Sequence, residues 1–214
     1  MSDERQGDRP KLLGDPLARE RRRLQLAEPH IAPLAQFVAS LRVEAGPKAY
    51  IPDFDPWDGG VQSEVLFLLE APGGRAVLSG FISRNNPDET AKNFFELNRD
   101  AGIPRRRTAT WNVVPWYIGS ETRTRPAKRA DVDQANDSLQ RLLLLLPRLK
   151  AFVLVGQAAQ RAAPTVASAR PGVRIFVSPH PSPLFVNNKP GNRDKILGVL
   201  RDVATFLEHL DPAV

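Results

Sequence analysis

The chain has no cysteine and, in 214 residues, only three histidines and one methionine. The missing thiols exclude disulfides, thiolate zinc sites, iron–sulfur ligation and a cysteine nucleophile. His30, His180 and His209 are scattered, with no close pair on one helical face, so a histidine-built metal site is not expected either. The expectation is chemistry that needs no metal and no cofactor. Long apolar runs are also lacking. The longest, Leu142 to Leu146, falls far short of the roughly 20 residues that span a bilayer. Residues 1–15 mix Asp, Arg, Gly and Pro without the apolar stretch of a secretory leader. These absences point to a monomeric, cytoplasmic protein with no membrane partner.

What remains has the composition of an ordinary globular domain, 42% apolar and 25% charged, and is long enough to bury one core without covalent staples. The net charge of +6 is unevenly placed. Residues 104–129 hold seven Lys and Arg against the single acid Glu121, and residues 170–201 hold six against Asp194. The body outside these segments and the first 25 residues is acidic. Two basic segments on an acidic body suit a polyanionic partner.

Residues 1–15 read as a flexible terminus, and 16–214 as a single domain whose first part, 16–60, is a helical and loop extension. Pro52 to Gly60 reads as loop. Beyond it, apolar strands over Ser63–Leu69, Arg107–Val114, Phe152–Val155 and Val173–Ser178 alternate with helices over Asp88–Asp100, Asp131–Leu146, Gln157–Ala167 and Asp194–Leu210. That alternation predicts an α/β fold, a three-layer αβα sandwich around a short, mainly parallel four-stranded sheet. In such sheets the loops at the carboxyl ends of the strands build the site.

Three of those ends carry candidate chemistry. After the first strand, Glu70-Ala71-Pro72-Gly73-Gly74 sets a carboxylate beside small residues, as a flat ligand requires; it also reads as a turn that contains a glutamate. At the end of the second strand stands Asn112, in Thr110-Trp111-Asn112-Val113-Val114. Its amide offers a donor and an acceptor side by side, suited to the edge of a pyrimidine or to a neighbouring backbone group. After the fourth strand comes Ser178-Pro179-His180-Pro181-Ser182-Pro183-Leu184, a loop stiffened by three prolines that presents a histidine, a serine and a protruding leucine.

Together these segments resemble the uracil-DNA glycosylase superfamily. His180-Pro181-Ser182-Pro183-Leu184 is identical to one of its signatures, Glu70-Ala71-Pro72-Gly73 is similar to another, and Asn112-Val113-Val114 resembles the strand that carries its uracil-reading Asn. The resemblance runs from about residue 62 to 200 in order and spacing. It implies a DNA-repair hydrolase that flips uracil out of DNA, cleaves the N-glycosidic bond and leaves an abasic site, with no lyase activity. By this resemblance Glu70 and His180 are catalytic, and Ala71, Phe81 and Asn112 bind the base, with Phe81 stacked on its face. Pro181, Ser182, Pro183 and Leu184 contact DNA, Leu184 as the wedge that fills the vacated stack. The partner is uracil-containing DNA, single- or double-stranded, which would place the protein at the nucleoid.

Two departures qualify the match. The thermophilic branch with the most similar first signature holds a four-cysteine iron–sulfur cluster, which this chain cannot bind. Ala71 also stands where other branches carry the Asp or Asn that positions the attacking water, leaving Glu70, and less strongly Asp88, Asn85 and Asn86, for that role. A non-catalytic binder of uracil-containing or abasic DNA is therefore the alternative. A flavodoxin-like nucleotide enzyme lacks a phosphate-loop pattern and leaves the proline-rich loop unexplained, and a generic basic nucleic-acid binder calls for exposed interleaved aromatics, whereas the Trp and Phe residues here fall mostly in strands and helix faces.

Overall fold

The computed structural model describes residues 7–120 and 125–210. Two helices, α1 (Pro16–Leu24) and α2 (Ala32–Ala45), precede β1 (Asp53–Phe54) and β2 (Val65–Leu69). Then follow α3 (Gly74–Ser79), β3 (Phe81–Ile82), α4 (Glu89–Asp100), β4 (Thr108–Asn112), α5 (Arg129–Gln134) and α6 (Asn136–Leu144). The chain continues through β5 (Ala151–Val155), α7 (Gly156–Gln160), α8 (Ala163–Ala169), β6 (Arg174–Ser178), α9 (Pro183–Val186) and α10 (Asn192–Leu210).

The main sheet has the order β4-β2-β5-β6, and every pairing in it is parallel. Helices cover both faces, as parallel strands buried on both sides require. Alternate residues of β2 and β4 face opposite ways. Leu66, Leu68, Ala109 and Trp111 join a core that includes Leu34 and Phe37 of α2 and Leu142 of α6. Val65 and Phe67 pack on the other face with Phe94 of α4 and Leu200 and Val203 of α10. The α/β sandwich is as the alternation implied, with all four strands within a few residues of their expected places.

Two long helices expected from periodicity are each broken in two. The amide of Ala135 is shared between the carbonyls of Asp131 and Val132, which tightens and ends α5 before α6 begins. Pro164 lies in the first turn of α8 and cannot continue a helix from α7, because it has no N–H to donate.

The amino-terminal part is integral to the body. Ile31, Leu34, Phe37, Val38, Leu41, Ile51 and Phe54 are core residues, and Phe54 stacks on Trp111 with centroids 3.9 Å apart. The segment read as loop contains β1, which pairs in parallel with β3. Residues 7–15, expected to be flexible, are packed: Leu13 is fully buried and its amide donates to Asn85 O. Asp15 caps α1 by accepting from Leu17 N at 2.9 Å.

A buried ion network joins this part to the sheet. Asp55 accepts from Arg22, from Ser83 and from Arg105 Nη2, the last at 2.6 Å. Arg105 also binds Asp58 at 2.8 Å, Asp8 at 2.9 Å and Asn85 at 2.7 Å. Burial raises the pKa of the Asp55 carboxyl, but Arg22, Arg105 and the Ser83 hydroxyl outweigh it, and the net pKa falls well below the ordinary value.

Candidate active site

Glu70 and Asn112 are brought side by side by β-pairing that runs past the strand ends. Leu69 lies opposite Asn112, Val113 N donates to Leu69 O at 2.8 Å, and Val114 N donates to Glu70 O at 3.0 Å. His180 arrives from the other side of the sheet on the loop after β6. Gly156, at the end of β5, has φ 83°, and a Cβ there would lie 3.2 Å from His180 Cβ. A side chain at 156 would therefore strain the backbone and crowd the imidazole. Asn93 of α4 anchors the same loop by donating to Pro181 O at 3.0 Å.

These elements surround a cavity of about 450 Å³. Glu70, Ala71, Asn112 and His180 all line it. Its wall also includes Thr110, Phe94, Asp88, Asn86 and Arg125. Neither Asn112 nor His180 makes a side-chain hydrogen bond to any other described residue, so both present free polar atoms. Burial pushes the His180 imidazole pKa below its ordinary value, against an opposing pull from the Glu70 and Asp88 carboxylates. Its resting form at neutral pH is the uncharged ring, which can donate one hydrogen bond and accept one.

Two of the expected side chains, Phe81 and Asn85, lie off the cavity, and two others, Asn86 and Asp88, reach it with hydrogen bonds already made. Phe81 is fully buried in β3 and does not line the cavity; the aromatic ring on the wall is Phe94, held edge-on by Phe67 with centroids 5.0 Å apart. The correction follows from the β1–β3 pairing, which draws Phe81 into the interior. Asn85 is turned into the ion network, where its amide donates to Asp8 and to Arg9 O. Asn86 reaches the cavity, but its amide is spent on Ser79 Oγ and Phe81 O. Asp88 caps α4 through Ala91 N at 2.9 Å. Glu70 accepts from Ala127 N, which orients one carboxylate oxygen.

Beyond His180 the proline-rich loop leaves the cavity, and none of Pro181, Ser182, Pro183 and Leu184 lines it. Pro181 is buried, Ser182 caps α9 by accepting from Phe185 N, and Leu184 stands 85% exposed on that short helix. An apolar side chain so placed gains nothing from the fold. The two basic segments behave differently from what their sequence suggested. Arg105, Arg106 and Arg107 precede β4 and Arg174 opens β6, so all four lie at the amino end of the parallel sheet, away from the cavity. Arg107 pairs with Glu64, and Arg170 binds the carbonyls of Leu143 and Leu146. Among the described basic residues of the first segment, Arg125 alone lines the cavity, held by Asp131 at 2.6 and 2.7 Å. That pairing lowers the Asp131 pKa to about 2. Arg123 and Glu121 lie outside the described residues.

A family model described as the uracil DNA glycosylase superfamily matches residues 56–204. The chain belongs to that superfamily. No curated protein matches the chain. The match includes β2 through most of α10 and all of the cavity-lining residues named above, and it leaves α1, α2 and β1 outside. Membership carries with it a DNA substrate and base-excision chemistry at the level of the superfamily. No group of three or more metal-binding side chains and no helix long and apolar enough to cross a membrane occurs among the described residues.

Sequence reasoning passed over Thr110, Gly156, Asn93 and Phe94. Thr110 was within reach, since it sits two residues before Asn112 and a strand repeats its facing every second residue. Gly156, a glycine at a strand's carboxyl end, carried a visible signal of close backbone approach. Asn93 and Phe94 could not be told from the rest of an amphipathic helix.

Proposed function

We propose that this member is a monofunctional uracil-DNA glycosylase that extrudes uracil from DNA and hydrolyses its N-glycosidic bond. The observation that carries the reading is the convergence of Glu70, Asn112 and His180, from three separate strand ends, on one cavity, with the exposed Leu184 four residues beyond His180 on the same loop. Extrusion costs a few kcal/mol of stacking and pairing, which an apolar wedge and phosphate contacts offset. Leu184 fills the gap, the backbone around Ser182 meets the flanking phosphates, and Phe94 offers its ring to the base.

Asn112 accepts from N3–H and donates to O4, a pattern that cytosine inverts, so the wrong base leaves a buried amide mispaired. Cleavage leaves the bonding electron pair on the base and a cation at C1′. The uncharged His180 donates to O2, where the negative charge develops, assisted by backbone N–H groups of the 70–73 loop. Water adds to C1′ and passes its proton to Glu70. With no lysine on the cavity wall among the described residues, the reaction is hydrolysis without a Schiff base.

The test is a labelled oligonucleotide carrying one uracil, incubated with the protein and treated with alkali. Cleavage at that position and release of free uracil are expected. Tight binding of the same oligonucleotide without base release would instead establish the non-catalytic binder that Ala71 leaves open.

A further inference from the structure

Thr108, Thr110 and Asn112 lie at alternate positions of β4, opposite Val65, Phe67 and Leu69 of β2, and so share one face of the sheet. Elsewhere this face is apolar, packed by α4 and α10. The inner member of the polar row is closed off, because Arg84 Nη2 donates to Thr108 Oγ1 at 2.9 Å. The middle member is not. Thr110 is 3% exposed, lines the cavity, and its hydroxyl has no hydrogen-bond partner. A buried hydroxyl left unpaired is a standing cost that a fold normally removes with a partner or an apolar residue. Val would fill the same volume.

We infer that Thr110 is a base-binding residue whose hydroxyl donates to the keto oxygen at the leading tip of the extruded base. The inference rests on the reading of the cavity as a uracil pocket. A base enters from the carboxyl end of the sheet with N1 trailing, since N1 carries the sugar. The atom opposite N1 in the ring is C4, so O4 leads into the cavity. Thr110 lies roughly 6.6 Å deeper along β4 than Asn112, at two residues of strand rise. Asn112 flanks the N3–O4 edge and takes one lone pair of O4; Thr110 takes the other. A hydroxyl can also accept, so Thr110 sets how firmly the tip is held, while Asn112 sets which base is accepted.

The decisive comparison is Thr110→Val and Thr110→Ser against the wild type. The measurements are uracil release from a single-uracil oligonucleotide, binding of free uracil by calorimetry, and thermal unfolding. One neutral hydrogen bond corresponds to about a tenfold change. Thr110→Val is expected to lower kcat/KM and uracil affinity about tenfold while its unfolding temperature stays equal or rises, since the hydroxyl has no partner in the free protein. Thr110→Ser keeps both activities. With 4-thiouracil in place of uracil the gap between wild type and Thr110→Val narrows, because sulfur accepts more weakly. Release and binding by Thr110→Val at wild-type levels would overturn the assignment and leave the glycosylase reading standing. Parallel losses of activity and unfolding temperature, unrescued by Ser, would also overturn it. A wild type that binds uracil, more weakly as Thr110→Val, yet releases none would uphold Thr110 and overturn the catalytic reading. Failure of the wild type either to bind or to release uracil would overturn both.

Discussion

Two sets of polar side chains, one off the cavity and one lining it, have opposite relations to their surroundings. Arg22, Asp55, Asp58 and Arg105 form an ion network in which each charge meets an opposite charge, although Arg22 Nη2 and Asp58 Oδ2 have no hydrogen-bond partner, and none of the four lines the cavity. Thr110, Asn112 and His180 are partnerless among the described residues, and all three open on the cavity. Paired charges hold a fold together, because removing one leaves another uncompensated. Unspent hydrogen-bonding capacity also occurs away from the cavity, at Ser63 Oγ and Asn98 Oδ1, and only where it opens on the cavity can it meet a ligand. Opening on the cavity, more than charge or lack of a partner alone, thus separates chemistry from structure.

The sharpest way to break this distinction is to exchange the consequences. Asp55→Ala leaves Arg22 and Arg105 buried without their shared carboxylate and is expected to cost about 3–5 kcal/mol, read as a fall in the denaturant midpoint. His180→Ala and Asn112→Ala are expected to do the reverse. Each should reduce uracil release by about 10² to 10³ in rate, while the unfolding midpoint stays near that of the wild type. Stability losses in this pair comparable with Asp55→Ala would erase the distinction between the two sets.

A smaller effect is expected at Leu184. Leu184→Ala should lower turnover on duplex DNA by about tenfold and on single strands far less, with unfolding unchanged, because the side chain is 85% exposed and supports nothing. Equal losses on both substrates would remove the wedge. The smallest effect concerns pH. Burial lowers the His180 pKa below its ordinary 6.5, so below that pH the unfolded chain binds a proton that the folded protein refuses. Stability should therefore fall as pH drops below about 6.5, level off once the folded-state ring also protonates, and be flat above. In His180→Ala this part of the pH dependence should disappear from a series of denaturant titrations.

The sheet was legible because parallel strands buried on both faces write themselves as short apolar runs, such as Val65 to Leu69 and Phe152 to Val155. The convergence of Glu70, Asn112 and His180 was legible for the same reason, since strand ends in such a sheet share one edge. The ion network was not. Arg105 finds partners at Asp8 and Asp55, 97 and 50 residues away, and no local pattern distinguishes it from a cation waiting for phosphate. Its neighbours in the basic run were misplaced because a residue just before a parallel strand lies at the end opposite the site. Phe81 misled for a related reason: its position follows from pairing with Asp53 in a strand of two residues, too short to show a periodicity.

The unit that folds is larger than the unit that kinship recognises. Similarity to other superfamily members begins at residue 56, whereas the hydrophobic face of α2, the Phe54–Trp111 stack and the counter-charges of Arg105 at Asp8 and Asp55 all lie before it. A recombinant fragment trimmed to the recognised boundary would lose the lid of one core and leave the Arg105 guanidinium with Asp58 alone of its three carboxylates. Truncation and fusion designs should therefore begin ahead of Asp8, and a graft of this domain into another protein has to carry its amino-terminal helices along.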